Sequence, residues 1–367
     1  MSDLSNHSDL TPLKAIDANL NRANEALRTL EDSLRYDNGR AALISEIKQF
    51  RHTLSTIFSG NDVLGPDDLL SARNVIADTG TTVTTEVEYY RTTRESILTA
   101  NCKRLQQSLR SLEEFTKLFD TTLSKKIESL RYKSYRLEQK VHLQKSRLTI
   151  LNEADLFLLV DTSDDLSLFE EKISTLLNVG IRLFQLRDKL ANDQQLFKYG
   201  AVLREQTEAA NALFIVNDRP DLARLLNADG VHLGQEDLTP LQARKLLLGD
   251  QLVGLSTHDQ NQLKQSKTQQ VDYLGIGPTF PSKTKSFDQF PGKSLLKKAF
   301  SETEKPLFAI GGITTDNLPE LLKIGTTAGR LPKIALHQAI WKEKNYAQKG
   351  EQFLTIFSQW KEKHTFS

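Results

Sequence analysis

What the sequence lacks narrows the possibilities before anything present is read. Among 367 residues there is one cysteine, Cys102, which excludes an internal disulfide framework and any zinc site built from several thiolates. No run of apolar residues approaches the ~20 needed for a membrane-spanning helix. Neither sign of charge is in excess, since 48 Lys and Arg against 47 Asp and Glu leave a net charge of +1. That balance removes the electrostatic case for nucleic acid or an acidic membrane as a partner. The opening stretch MSDLSNHSDLTP is polar and acidic, without the basic leader and apolar core of a secretory signal. The expectation is a soluble cytoplasmic protein, and at about 150 residues per domain the length suggests two domains.

The two halves follow different patterns. Residues 12–150 read as a helical domain. From Lys14 to Tyr36, Ile16, Leu20, Ala23, Leu27, Leu30 and Leu34 recur every three or four positions, which makes one helix face. Thr11 and Pro12 form a plausible N-cap and first-turn pair. Residues 40–59 and 94–119 read the same way, and 121–150 read as a long solvated helix. Between them, 60–91 is punctuated by glycine and proline and ends in TTVTTEVEYY, so a loop with one short strand is expected there. This half also carries a repeat. Ala18-Asn19, Arg22, Leu27-Arg28, Leu30 and Glu31 recur as Ala100-Asn101, Arg104, Leu109-Arg110, Leu112 and Glu113, which predicts two similar helices about a pseudo-twofold axis. The repeated Arg and Glu read first as buried ion pairs that fix the packing.

Residues 151–360 alternate short β-rich runs with amphipathic segments. The runs are Leu156–Val160, Arg182–Leu186, Ala212–Val216, Gly230–Leu233, Leu252–Leu255, Tyr273–Ile276, Leu307–Ile310 and Lys333–Leu336. Eight such units predict a C-terminal (β/α)8 TIM barrel behind the mainly α-helical domain, an α/β fold, with an open doubly wound sheet as the alternative. In a barrel, all the strand ends open onto one rim, where barrel active sites lie.

The residues at those ends favour phosphate. Gln185, Arg187 and Lys189 alternate at the end of the second run and so face one side; Arg offers a fork to phosphate oxygens and Lys a mobile charge. Ser282, Thr284 and Lys285 make a hydroxyl-rich loop with a further cation. Gly311-Gly312 lets backbone amides approach an anion closely. Asp218 and Asp237, on neighbouring loops, are oxygen ligands suited to Mg2+, which bridges one or two carboxylates to substrate phosphates. Two phosphate corners beside a metal imply two phosphorylated ligands, one of them a diphosphate. Taken singly, each of these residues reads as a solvated loop charge or a turn, and His232 as a hydrogen-bonded structural histidine. Their convergence on one rim carries the argument.

The strings QLRDK, VNDRPDLA, ADGVHLGQEDL, GLSTH, GIGPTFPSKTK and AIGGI, in that order across nearly all of 154–340, resemble thiamine phosphate synthase. The resemblance implies a barrel transferase that joins hydroxymethylpyrimidine diphosphate to a thiazole phosphate, releasing pyrophosphate and forming thiamine phosphate. It implies that Gln185, Arg187, Lys189, Asn217, Ser256 and Lys285 hold the pyrimidine diphosphate, with Arg187, Lys189 and Lys285 assisting its departure. Asp218 and Asp237 would hold Mg2+, and Ser282, Thr284, Gly312, His337 and Gln338 would hold the thiazole phosphate. It implies a dissociative reaction, in which the diphosphate leaves before the thiazole nitrogen attacks. Two departures from the family pattern stand out: Ser282 replaces the usual Thr, and TTAGRLPKIALHQAI is longer than the usual turn into the last strand.

The N-terminal half, through DANLNRANEALRTLEDSLRY and SLRSLEEF, resembles the helical extension fused to some bacterial synthases, for which a hydroxymethylpyrimidine phosphate kinase role has been proposed. Asp78, Gly80, Thr81 and Thr82 are suited to approach phosphates there, and Asn19 and Arg22 share a helix face, although no Walker-type loop is present. Kinase, oligomerisation module and channelling partner stay open for this half, as does homo-oligomerisation of the whole chain. For the barrel the competing readings are a thiazole tautomerase and a precursor-binding barrel without turnover.

Overall fold

The computed structural model describes residues 10–36, 41–60, 64–72, 91, 93–281 and 292–364, with 41 and 42 described by their backbone alone. The chain divides into two compact units, Met1–Leu143 and Gln144–Ser367.

The first unit contains α1 (Thr11–Tyr36), α2 (Ala41–Ser59), α3 (Pro66–Ala72), α4 (Arg94–Thr116) and the greater part of α5 (Thr121–Glu153). The periodic face of α1 is buried at Ile16, Ala23, Ala26, Leu27, Leu30 and Leu34. It packs along α4, which starts at a capping box formed by Thr93 and Ser96. The short α3 corrects the expectation of loop through this stretch. Pro66 fits the first helical position, Asp67 and Asp68 favour the helix N-terminus, and Leu69 and Ala72 are buried. Seven residues are too few to show helical periodicity in the sequence, so the burial that stabilises α3 leaves no readable pattern. The short strand expected within TTVTTEVEYY lies outside the described residues.

The repeat extends beyond the helix pair visible in the sequence. Leu43, Ile47, Phe50 and Arg51 of α2 correspond, with a spacing of 80, to Leu123, Ile127, Leu130 and Arg131 of α5, and all six of these apolar residues line one core. Each half of the repeat buries a glutamate. Glu31 is 1% exposed and is approached by Arg51 at 3.2 Å, Arg28 at 3.6 Å and Lys48 at 3.7 Å. Glu113 accepts from Arg131 at 2.6 Å and Arg110 at 2.8 Å. Arg51 and Arg131 thus bind the helices together, whereas the repeated Arg28 and Arg110 pair within their own helices and are more than half exposed, so of the expected buried pairs only the glutamates are buried.

The second unit opens with the end of α5 and continues as β1 (Leu156–Val160), α6 (Leu166–Val179), β2 (Leu183–Leu186), α7 (Asp193–Ala209), β3 (Leu213–Asn217) and α8 (Pro220–Leu225). Next come β4 (Gly230–Leu233), α9 (Pro240–Leu246), β5 (Leu252–Thr257), α10 (Gln260–Ser266), β6 (Tyr273–Ile276) and α11 (Gly292–Glu302). The order ends with β7 (Leu307–Ile310), α12 (Leu318–Thr327), β8 (Lys333–Leu336), α13 (Gln338–Trp341) and α14 (Tyr346–Lys363). The strands form a closed parallel barrel in sequence order, with β8 meeting β1 through Leu156↔Ile334 and Leu158↔Leu336. Despite the longer approach through Pro332, β8 keeps a regular register on both neighbours.

Alternation along the strands separates two cores. Outward residues such as Leu158, Phe184, Phe214, Val231 and Leu274 pack under the helices. Inward residues Phe157, Leu183, Leu213, Leu252, Tyr273 and Phe308 fill the barrel, together with Leu148 and Leu151 from the end of α5. Phe157, Tyr273 and Phe308 meet edge to face, with centroids 5.3 to 5.8 Å apart. Gly254 makes room for this layer, since a Cβ there would lie 2.1 Å from the Tyr273 ring. With the lower interior filled, inward polar side chains such as Gln185 gather toward the C-terminal ends of the strands.

Candidate active site

Several inward series end in a polar residue, while those of β6 and β7 run into Gly277 and Gly312. On β2, the alternation that buries Leu183 brings Gln185 inward, 2% exposed, and continues to Arg187, whose amide donates to Val160 at 2.8 Å. Asp188, between Arg187 and Lys189, shapes the turn: it accepts from the Thr162 hydroxyl at 2.8 Å and the Leu190 amide at 2.9 Å. Burial alone would raise its carboxyl, but these hydrogen bonds outweigh burial and hold it below its ordinary value. Arg187 and Lys189 therefore project from a fixed turn.

Strand β3 ends at Asn217, paired with His232 of β4. Asp218 follows with φ of +60°, and its amide donates to the His232 carbonyl at 2.8 Å. A left-handed conformation is uncommon for aspartate and turns its carboxyl back toward the rim. There it meets Asp237, whose own carboxylate accepts from the Gly234 amide at 2.6 Å. Burial first, then contact with and repulsion from Asp237, push the Asp218 carboxyl up to about 6 against the pull of Lys189 and Arg187. The two expected metal ligands are thus brought face to face, with cations beside them. Among the described residues no cluster of three or more His, Cys, Asp or Glu side chains suits a metal. A carboxylate pair carrying excess negative charge suits Mg2+, which completes its shell with water and phosphate oxygens.

His232 and Ser256 are linked across the strand ends. The His232 ring contacts the Ser256 hydroxyl through Nε2 at 3.0 Å and the Tyr273 hydroxyl through Nδ1 at 3.2 Å. Burial, then nearby Arg187, lower its imidazolium to about 4, so it is neutral at pH 7. His232 is a structural histidine that orients Ser256. His258, for which the sequence suggests no partner, has one: its Nδ1 lies 2.6 Å from the Gly277 carbonyl.

The other corner is formed by β7 and β8. The Thr279 amide donates to Ile310 at 2.9 Å and the Phe280 amide to Gly311 at 3.0 Å, so the segment after β6 clasps the end of β7. Gly311 and Gly312 both have positive φ, and a Cβ on Gly312 would lie 2.6 Å from the Pro281 carbonyl oxygen. Glycine is required there by backbone conformation and by this close approach. Ser282, Thr284 and Lys285 lie outside the described residues. His337 precedes α13 and Gln338 opens it, exposed.

His337 is tied down by a residue that the sequence reading passed over. Its Nε2 lies 2.9 Å from Asp161, immediately after β1, and Lys342 Nζ and Trp341 Nε1 reach the same carboxylate at 2.8 and 3.2 Å. Burial would raise the Asp161 carboxyl, but hydrogen bonds from His337, Lys342 and Ser163 hold it well below the usual carboxylate range. The signal was available, because Asp161 follows Val160 as Arg187 follows Leu186. Asp161 links β1 to the turn after β8 and so fixes the backbone of the second corner.

Two family models match the chain. Residues 156–331 match the one described as thiamine monophosphate synthase, and residues 14–140 match the ThiD2 family. A thiamine-phosphate synthase of Synechocystis is 36% identical over 346 residues, covering 94% of this chain and 96% of that protein. One from Thermosynechococcus vestitus is 39% identical, covering 86% and 87%. Among solved structures, a thiamine phosphate pyrophosphorylase from Pyrococcus furiosus superimposes with a TM-score of 0.50 and 28% identity, covering 57% of this chain and 98% of that one.

Proposed function

The chain belongs to the thiamine-phosphate synthase family, and from that premise we propose that the barrel rim joins a pyrimidine methyl diphosphate to a thiazole phosphate. The products are thiamine phosphate and pyrophosphate. The observation that carries the site assignment is the facing pair Asp218 and Asp237 beside Arg187 and Lys189, because a metal-bound diphosphate offers a cation to the carboxylates and anionic oxygens to the cations.

The bond changes need no strong base. The methylene carbon–oxygen bond breaks with its electron pair going to the diphosphate, and the thiazole nitrogen lone pair forms the new carbon–nitrogen bond. Charge on the departing group must be neutralised and the nucleophile aligned. Arg187 and Lys189 supply cations to the diphosphate, joined by Lys285. Asp218 and Asp237 hold Mg2+, which when bound neutralises diphosphate charge. Gln185, Asn217 and Ser256 hold the pyrimidine end, and the neutral His232 keeps the Ser256 hydroxyl oriented. Ser282, Thr284, Gly312, His337 and Gln338 anchor the thiazole phosphate, with Asp161 holding His337 and its turn in place.

The test is an assay of purified protein with both phosphorylated precursors and Mg2+, following thiamine phosphate. Formation that needs both precursors and collapses in Asp218→Asn supports the reading. A folded protein that binds both precursors and forms no product is instead a binding barrel. Isomerisation of a thiazole carboxylate phosphate would mark a tautomerase.

A further inference from the structure

The two phosphate corners of the rim share one piece of backbone. Strand β1 lies between β2 and β8, pairing with Gln185 and Leu186 on one side and with Ala335 and Leu336 on the other. The three residues after it, Asp161, Thr162 and Ser163, divide their hydrogen bonds between those neighbours. Thr162, 3% exposed, serves the β2 side: its amide and its hydroxyl both donate to one oxygen of Asp188, at 3.2 and 2.8 Å. The other oxygen of Asp188 accepts from the Leu190 and Ala191 amides, which closes the turn that carries Arg187 and Lys189. Gln195, in the first turn of α7, donates to the Thr162 carbonyl at 3.2 Å. Asp161 serves the β8 side. One of its oxygens accepts from the Ser163 amide and hydroxyl, Trp341 Nε1 and Lys342 Nζ, and the other meets His337. Trp341 is held in turn by the buried Lys172, whose ammonium lies 4.0 Å from the ring centroid and donates to the Trp341 carbonyl at 2.6 Å. With five donors on about four lone-pair sites, Asp161 cannot move without its neighbours.

We propose that residues 161–163 form a positioning strap that couples the two corners, so that a ligand held at one corner tightens binding at the other. The inference rests on the reading that the pyrimidine diphosphate and the thiazole phosphate share this rim. Thr162 and Asp161 are joined by a planar peptide unit, so a shift of Thr162 that follows Asp188 carries Asp161 with it. Close packing around both residues passes that shift on to His337 and Lys342 instead of absorbing it. A first ligand that fixes its own end of the strap spares the second ligand part of the ordering cost, and the effect is equal in both directions. Thr162 acts through Asp188, Arg187 and Lys189, and Asp161 through His337. Both are therefore positioning residues.

Isothermal titration calorimetry of the full chain tests this without turnover. Inorganic pyrophosphate with Mg2+ is the probe for the β2 corner, and the thiazole phosphate is the probe for the β8 corner. Each is titrated alone and again with the other saturating. In the unsubstituted chain each should tighten the other by the same factor, about fivefold. Thr162→Val keeps the shape of the side chain and removes its hydroxyl, and it should bring that factor to unity. Thr162→Ser should restore it. A folded Thr162→Val chain that binds pyrophosphate more weakly but keeps the factor would confine Thr162 to its own corner and overturn the proposal. A factor of unity in the unsubstituted chain, with both probes bound, overturns it as well. Should Thr162→Val not fold, Ser163→Ala at an exposed position loosens the Asp161 end of the strap. It should lower the factor, and an unchanged factor there refutes the coupling. If either probe fails to bind the unsubstituted chain, the assignment of the rim fails and the coupling with it.

Discussion

Replacing Asp237 with asparagine should improve the metal-free protein and damage the metal-loaded one. Asp218 is raised from 3.8 to about 6, first by burial and then by Asp237. A carboxyl raised on folding destabilises the native state above its folded value, and that penalty is relieved as pH falls from about 6 toward the unfolded value near 4. The two-unit rise corresponds to about 3 kcal/mol if fully expressed. Asp218 is half-exposed, and part of its rise is burial that Asp237→Asn does not remove, so ~0.5–1 kcal/mol is the expected gain. The Asn side-chain oxygen still accepts from the Gly234 amide, so the loop keeps the 2.6 Å hydrogen bond that Asp237 makes. Urea unfolding of the full chain at pH 7.5 in EDTA should show this stabilisation, fading below pH 6. Mg2+ binding should move the other way. In the unsubstituted chain the apparent Mg2+ dissociation constant should rise about tenfold per pH unit below 6, because a protonated Asp218 is no ligand. In Asp237→Asn, the constant should be raised at every pH with its inflection shifted lower. A variant that is less stable in EDTA, with unchanged Mg2+ affinity, would show that these carboxylates serve only as loop caps.

Arg147, 6% exposed near the end of α5, bonds Asp229 at 2.8 Å and also pairs with Asp250; Arg147→Ala leaves buried carboxylates short of a partner. It should cost about 3–5 kcal/mol in chemical denaturation while kcat in the folded fraction is kept. A fragment beginning at Gln144 should fold and make thiamine phosphate from ready-made precursors, and one beginning after Arg147 should show that same loss of stability. Steady-state kinetics should separate the two phosphate corners: Arg187→Ala should act through the pyrimidine diphosphate and Thr284→Ala through the thiazole phosphate. Each should cost about tenfold to a hundredfold, as expected for one charge-assisted contact, and the reverse substrate dependence would exchange the corners.

The barrel was legible because each strand carries its signal locally. Five of the eight runs read from the sequence have the bounds of the observed strands; the second and fifth differ by one or two residues at one end, and the third by one residue at each end. In a parallel barrel each strand is buried on both faces and bounded by turns, so a β-rich run between helical segments has few other places to go. The rim followed from the strands, because a residue after a parallel strand can lie only at the C-terminal mouth. That rule placed Arg187, Asn217 and Asp218 correctly at strand ends, and applied to β1 it would have found Asp161 too. What the rule cannot supply is the state of a side chain. That Asp218 faces Asp237 and is pushed up to about 6 depends on a positive φ and on two loops meeting, neither of which is written in either loop alone.

The helical unit shows the opposite balance. Its duplication is visible where identical residues recur, as in α1 and α4, and hidden where they diverge. Between α2 and α5 the spacing changes to 80, Glu46 becomes Lys126, Lys48 becomes Glu128, and the buried Leu54 and Phe58 become Ser134 and Glu138, while Leu43, Ile47, Phe50 and Arg51 keep apolar or arginine counterparts. Charge is free to change on a solvated face, whereas most residues at the central helix–helix contact stay apolar. Arg51 and Arg131 persist although they are charged, because each neutralises a glutamate buried by the partner helix. Their surroundings then diverged, to Tyr132 and Tyr135 on one side and His52 and Ser55 on the other. A functional difference between the copies therefore has to be sought around the shared clamp, at residues whose identity the packing leaves free.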